Sequence, residues 1–213
     1  MEKIIVVEGL TKQFGNNTVL KNINISFEKG NIHGIIGRNG SGKTVLMKCI
    51  CGLTPITCGT IMVNGKKIGI DCEIIPDTGV IIETPGFLPN LSGYANLKNL
   101  AVLKSKISSD DIHAAIKKVG LNPHDKKRVG KYSLGMRQRL GLAQAIMENP
   151  ELLILDEPMN GLDKDGVRDM RQYLIDLKEQ GKTILIASHS AEDIDVLCDT
   201  VYEMDKGKIS QVR

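Results

Sequence analysis

The segment Gly37-Arg38-Asn39-Gly40-Ser41-Gly42-Lys43-Thr44 carries the pattern G-x-x-x-x-G-K-S/T in full. Glycines so placed let successive backbone N–H groups turn inward on an anion, and a helix that follows points its positive dipole end at the same spot. In such a loop Lys43 reaches the outer phosphates of a nucleoside triphosphate, and the Thr44 hydroxyl is a ligand for Mg2+. Much further along stands Leu152-Leu153-Ile154-Leu155-Asp156-Glu157, four aliphatic residues running into two adjacent carboxylates. That is a costly place for charge unless a metal and a water need it. Asp156 suits a hydrated Mg2+, and Glu157, one residue beyond, suits the polarisation of an attacking water. The two segments together predict phosphoryl transfer from a nucleotide.

Such chemistry needs a strand before the glycine-rich loop and a helix after it. Asn31–Ile36 reads as a short buried strand, and Val45, Leu46 and Ile50 give the following segment a helical stripe through about Cys51. Before them, Ile4–Glu8 and Thr18–Phe27 read as strands, the second placing Ile23, Ile25 and Phe27 on one face. Val80–Ile82 is a further short strand. From Thr84 to about Asn149 the pattern turns helical: Asn96–Lys106, Ser109–Val119, with Ser108-Ser109-Asp110 as its cap, and Ser133–Met147. Alternation then resumes as strand Leu152–Leu155, helix Lys164–Glu179, strand Thr183–Ala187, helix Ala191–Leu197 and strand Val201–Met204. The expected architecture is α/β in one domain: a mainly parallel core over 1–83 and 150–213, led by N-terminal strands, with a helical subdomain inserted at 84–149.

Composition removes other classes. With 213 residues, 41% hydrophobic and 25% charged, the chain is ordinary for a globular domain. Lys and Arg number 28 against 25 Asp and Glu, and a net charge of +3 is too small to argue for nucleic acid as a partner. The densest apolar runs fall far short of the roughly 20 residues a membrane span needs, and the start shows no signal peptide. Little follows Val212, so the expectation is a chain without a regulatory tail. The five cysteines lack metal-ligand or redox spacing and read as inert thiols of a reducing compartment. His33, His113 and His124 have no ligand spacing, and Lys126-Lys127-Arg128 with Lys131 reads as a solvated face.

Three more segments narrow the chemistry. Tyr132-Ser133-Leu134-Gly135-Met136-Arg137-Gln138-Arg139-Leu140 precedes the Asp-Glu strand, Asn160-Gly161-Leu162-Asp163 follows it, and Ala187-Ser188-His189-Ser190 ends the next strand. In that order, with the phosphate loop and the Asp-Glu strand, they resemble the signature motif, D-loop and switch histidine of ATP-binding-cassette (ABC) ATPases. The resemblance covers essentially the whole chain. It implies a P-loop ABC ATPase fold with antiparallel N-terminal strands, ATP and Mg2+ as cofactors, and catalysis by Glu157, His189 and Lys43. Gly37 to Thr44 (Gly37, Arg38, Asn39, Gly40, Ser41, Gly42, Lys43, Thr44) would hold the phosphates, and Phe14, unless it is a packing residue, would lie under the adenine. In this family two cassettes pack head to tail, as a homodimer or with a related chain. Ser133, Gly135 and Asp163 would then face ATP held by the partner, a role Ser133 can combine with capping its helix. His189 would contact the γ-phosphate, though on residue type alone it is also an ordinary polar turn residue.

Two departures stand out. The usual Leu-Ser-Gly-Gly-Gln signature is here Tyr-Ser-Leu-Gly-Met, which keeps the serine and the second glycine. In Ile81-Ile82-Glu83-Thr84-Pro85-Gly86-Phe87, Glu83 stands where the family has a glutamine touching Mg2+. Glu83 joins Thr44 and Asp156 as an expected metal contact, the other possibility being an exposed strand-end acid. Both departures resemble the bacitracin-resistance and lantibiotic-immunity branch of exporters. By resemblance the chain is the ATPase subunit of a transporter, peripheral at the inner face of the cell membrane, with a separate permease docking near Thr84–Leu103. The apolar Pro85, Phe87, Leu88 and Pro89 there either serve that docking or tuck under the helices. The alternative is an ABC ATPase acting on ribosomes or DNA. A GTPase would need an Asn-Lys-x-Asp motif, which the sequence does not show.

Overall fold

The computed structural model describes residues 2–103 and 107–213. The chain opens with an antiparallel pair, β1 (Lys3–Phe14) and β2 (Asn17–Glu28), followed by β3 (Ile32–Ile36), the glycine-rich loop and α1 (Lys43–Ile50). Next come β4 (Cys58–Val63), β5 (Lys66–Lys67) and β6 (Thr78–Ile81), then α2 (Gly93–Ala101), α3 (Ser109–Lys118) and α4 (Leu134–Ile146). The last third is β7 (Leu152–Asp156), α5 (Lys164–Glu179), β8 (Thr183–Ala187), α6 (Ala191–Leu197), β9 (Thr200–Asp205) and β10 (Lys208–Gln211).

The strands form two sheets. One is antiparallel, in the order β2-β1-β4-β5; the other has six strands, in the order β10-β9-β3-β8-β7-β6. In the second, β9, β3, β8, β7 and β6 are mutually parallel, and only β10 runs against its neighbour. Parallel strands covered on both faces must be apolar throughout, and every residue of β7 and β8 is buried. In β2 the expected face closes inward, with Ile23, Ile25 and Phe27 all buried. A parallel sheet also fixes where its loops emerge. The segments after β3, β6, β7 and β8 leave from one edge, where ligands of open α/β sheets bind. Those segments hold the phosphate loop, Glu83, Glu157 and His189.

Helix boundaries follow local chemistry. Asp163 caps α5 by accepting from the Gly166 N–H, and Met170, Leu174 and Leu177 are its buried stripe. Ser108 caps α3 in a reciprocal capping box with Asp111. Ser133 accepts from the Met136 N–H and so caps α4. Helices α2 and α4 each pack on α3. They share one apolar cluster with the sheet, running from Leu97, Ile112 and Leu140 to Leu153, Leu155 and Ile184. A second cluster fills the space between the two sheets and α1, around Phe27, Leu46, Ile50 and Ile154.

Three differences from the sequence expectations stand out. Strands β4, β5 and β10 were not anticipated, and β1 extends to Phe14 rather than ending at Glu8. The helix expected at 96–106 instead spans Gly93–Ala101, because Ser92 caps it early by accepting from the Ala95 N–H. Residues 104–106 of that expectation lie outside the described residues.

Candidate functional site

The phosphate loop joins β3 to α1 as the pattern requires. Its shape demands glycine at Gly37, where φ is 147° and a Cβ would sit 2.2 Å from the Met204 carbonyl oxygen. The cap residue of α1, Gly42, offers no side-chain acceptor, and no acid stands in the first turn. The amides that start α1 therefore have no competing side-chain acceptor in front of them. Ser41 Oγ lies buried in the loop with no hydrogen-bond partner among the described residues. The Lys43 ammonium curls back over the loop, donating to the carbonyls of Gly37 at 2.7 Å and Arg38 at 3.4 Å. Such a nest of donors around an orphaned hydroxyl suits a polyanion.

The carboxylates converge on the same place. The Thr44 hydroxyl donates to Asp156 Oδ2 at 2.6 Å, which joins α1 to the end of β7 across the fold. Glu157 has a left-handed backbone, φ 51°, and its N–H donates to the Ala187 carbonyl at the end of β8. That twist turns its side chain toward β8, where Glu157 Oε2 lies 2.8 Å from His189 Nδ1. A non-glycine residue at such φ is strained and persists only where its surroundings dictate it. Gln138 of α4 adds a further tie, its Nε2 donating to the Glu157 carbonyl at 3.3 Å.

These groups surround a cavity of about 570 Å³, lined by Asn39 to Thr44, Glu83, Asp156 and Glu157. Gly37 and Arg38 do not line it; both line a neighbouring cleft beside Glu203 and Lys206. Glu83 reaches the cavity rim through another left-handed backbone, φ 60°, and its Oε1 accepts from Lys48 Nζ at 2.7 Å. His189 lines an adjoining cleft together with Glu157. Phe14 stands off the cavity on the β1–β2 hairpin, half exposed, with the Lys12 ammonium 4.4 Å from its ring centre.

Ser133, Gly135 and Asp163 do not line this cavity, although Leu134 and Asn160 beside them do. Gly135 packs on the Gly161 carbonyl, so the signature and the D-loop form one surface. Two cavity residues were not singled out from sequence, Arg137 and Gln138. The Arg137 Nε is buried and has no hydrogen-bond partner among the described residues. Their signal is their place in the signature run, one turn past Ser133. Cys49 and Cys51 are buried, and burial pushes their thiols up to about 11 and about 12; Cys58 is exposed. Among the described residues no group of three or more His, Cys, Asp or Glu side chains forms a metal cluster. A cation here would be held by Thr44 and Asp156, with the Glu83 carboxylate at the rim of the same cavity and phosphate oxygens completing the shell, a donor set of hard oxygens that suits Mg2+.

A phosphate loop after the first parallel strand, with an acidic strand end beside it, defines a nucleoside-triphosphate-hydrolysing α/β protein. The comparisons with known proteins carry this further. The family profile described as ABC transporter matches residues 20–160. The chain is 45% identical over 211 residues to the bacitracin transport ATP-binding protein BcrA of Enterococcus faecalis, covering 98% of this chain and 68% of that one. It is 38% identical over 206 residues to the lantibiotic transport ATP-binding protein SrtF of Streptococcus pyogenes, covering 97% and 89%. A dimeric ATP-binding cassette solved with ADP and phosphate superposes with a TM-score of 0.87 at 21% identity, covering 98% of this chain and 99% of that one. The chain belongs to the ABC transporter family, as an ATP-binding subunit and an ATPase.

Proposed function

We propose that this ATPase works as half of a head-to-tail pair, with a second copy or a related chain, and drives a separate membrane permease that exports a peptide antibiotic or a similar amphiphile. The observation that carries the proposal is the cavity that joins the phosphate loop, the Thr44–Asp156 pair and Glu157, whose carboxylate is paired with His189 of the adjoining cleft. Phosphates enter against the amides of Asn39 to Thr44, and Lys43 moves from the loop carbonyls to the outer phosphates. Thr44, Asp156 and Glu83 would hold Mg2+, which neutralises charge developing on the transferred phosphoryl group. Glu157 accepts a proton from the attacking water, and His189 holds that carboxylate through Nδ1 and stands beside the γ-phosphate. Ser133, Gly135 and Asp163 do not line this cavity, and the exposed Ser133 and Asp163 are free to close over the partner's nucleotide. Phe14 offers an exposed ring for the adenine.

Coupling falls to the helical subdomain, 84–149. Phe87 packs on the apolar cluster, while Leu88, Val102 and Leu103 are exposed, an apolar surface where a permease segment would seat. Among the described residues no helix is long and apolar enough to cross a membrane, so attachment would come through that permease. Export of an antibiotic rests on the relatives named for bacitracin and lantibiotic transport. The test is affinity purification of the tagged chain from solubilised membranes. An integral membrane protein at fixed stoichiometry is expected, lost in Leu88→Asp while ATP binding persists. Recovery with ribosomes or DNA instead would favour the alternative.

A further inference from the structure

The carboxylate at the cavity rim already has a partner. Lys48 lies one helical turn after Thr44 on α1, so the two side chains share a face of that helix. Thr44 holds Asp156 and Lys48 holds Glu83, each through a short contact, 2.6 Å and 2.7 Å. Glu83 meets Lys48 through Oε1, and its side chain is 63% exposed against 30% for Lys48. Glu83 is therefore drawn outward along α1, although it belongs to the same cavity as the metal-binding pair. Its left-handed backbone places it at the hinge between β6 and the loop leading to Phe87 and Leu88.

We propose that Lys48 is a positioning residue that competes with Mg2+ for Glu83, holding the carboxylate off the metal until the loaded nucleotide draws it in. This rests on the proposed role of Glu83 as a metal contact. A glutamine in this place would keep only a neutral hydrogen bond to Lys48 and would leave the metal with little competition. With glutamate, an ion pair forms in the metal-free state and must break before the carboxylate turns inward. Arrival of Mg2+ with nucleotide then moves the first residue of the loop proposed to touch the permease. Lys48 thereby makes loop position depend on the metal as well as on the nucleotide.

The experiment is a Mg2+ titration of binding of a fluorescent, non-hydrolysable ATP analogue, read by anisotropy. It uses the wild type, Lys48→Met, Lys48→Arg, Glu83→Gln and the Lys48→Met/Glu83→Gln pair. In Lys48→Met the Mg2+ concentration at half-saturation is expected to fall about two- to fivefold, the range a partly exposed ion pair supplies. Lys48→Arg should match the wild type. In the Glu83→Gln background, Lys48→Met should have no further effect, since the competition is gone. If Glu83→Gln shifts the titration and Lys48→Met does not, the competition is overturned and the metal role of Glu83 stands. If Lys48→Met acts equally in both backgrounds, its charge acts through space and the competition is overturned. If neither single variant shifts the titration, Glu83 is no metal contact and both ideas fall.

Discussion

Arg171 offers the sharpest test of how the site is held. From α5 its Nε donates to Asp193 Oδ1 at 2.8 Å, joined by Nη2, while Nη1 donates to Glu192 Oε1 at 2.8 Å. Asp193 is buried at 3% exposure, and its other oxygen accepts from Ser188 Oγ at 3.3 Å, next to His189. One guanidinium thus ties α5 to the turn that carries His189. Removing one partner of a fully buried ion pair costs about 3–5 kcal/mol. Here the Arg171 side chain is 16% exposed and Glu192 75%, so water reaches the vacated side. The Glu192 arm contributes little, and the expected loss in Arg171→Met is about 2–3 kcal/mol. For a chain of this length that lowers the midpoint of thermal unfolding by roughly 5–10 °C. The assay is thermal unfolding without nucleotide, followed by circular dichroism. Asp193→Asn added to Arg171→Met should restore about half the loss or more, because no charge is then left buried and unpaired. ATP turnover in Arg171→Met should fall further than ATP affinity, since the His189 turn loses its anchor. A midpoint shift below about 2 °C, or strictly additive substitutions, would refute the reasoning.

Two further outcomes follow from the same structure. His33 is buried with Nε2 against the Glu28 carbonyl and Nδ1 against the Thr200 hydroxyl, and burial holds its pKa below the ordinary value of 6.5. The unfolded chain takes up a proton below about pH 6.5 that the folded chain refuses, so stability falls as pH drops through that value. Unfolding midpoints between pH 8 and pH 5.5 should show a slope that His33→Gln reduces; an unchanged slope would assign it to other groups. Gly37→Ala should abolish ATP binding in a folded protein, because its Cβ would meet the Met204 carbonyl at 2.2 Å. Gly40→Ala, with nothing within 4 Å of the added carbon, should cost only the left-handed backbone penalty of about 1–2 kcal/mol, and equal effects of the two would contradict the loop geometry.

Legibility from sequence tracked burial. Segments whose residues are buried on both sides, such as β7 and β8, announce themselves as aliphatic runs, and the expected bounds of α5, β8 and α6 match those observed. The capped starts of α3 and α4 were equally readable, because serine before a helical stripe has one economical use. Strand β4 was not, since only Ile61 and Val63 of its six residues are buried and Gly59 interrupts it. β10 hides for the same reason, three of its four residues being exposed. In the site, the phosphate loop and the Asp156–Glu157 pair are contiguous motifs and could be read directly. The Lys48–Glu83 ion pair and the Arg171–Asp193 tie join residues far apart in the chain, and Arg137 lines a cavity whose other walls come from distant segments. They exist only because the parallel sheet brings its strand ends to one edge, which no local pattern encodes.

Whether Glu157 activates water at a site completed by a second cassette turns on one substitution. Glu157→Gln, examined with ATP and Mg2+ by single-turnover hydrolysis and gel filtration, addresses it most directly. ATP binding should persist, hydrolysis should fall by about 10²–10⁴-fold, and the variant should elute as an ATP-dependent dimer. A variant that stays monomeric with ATP and hydrolyses it within a few-fold of the wild-type rate would contradict the account.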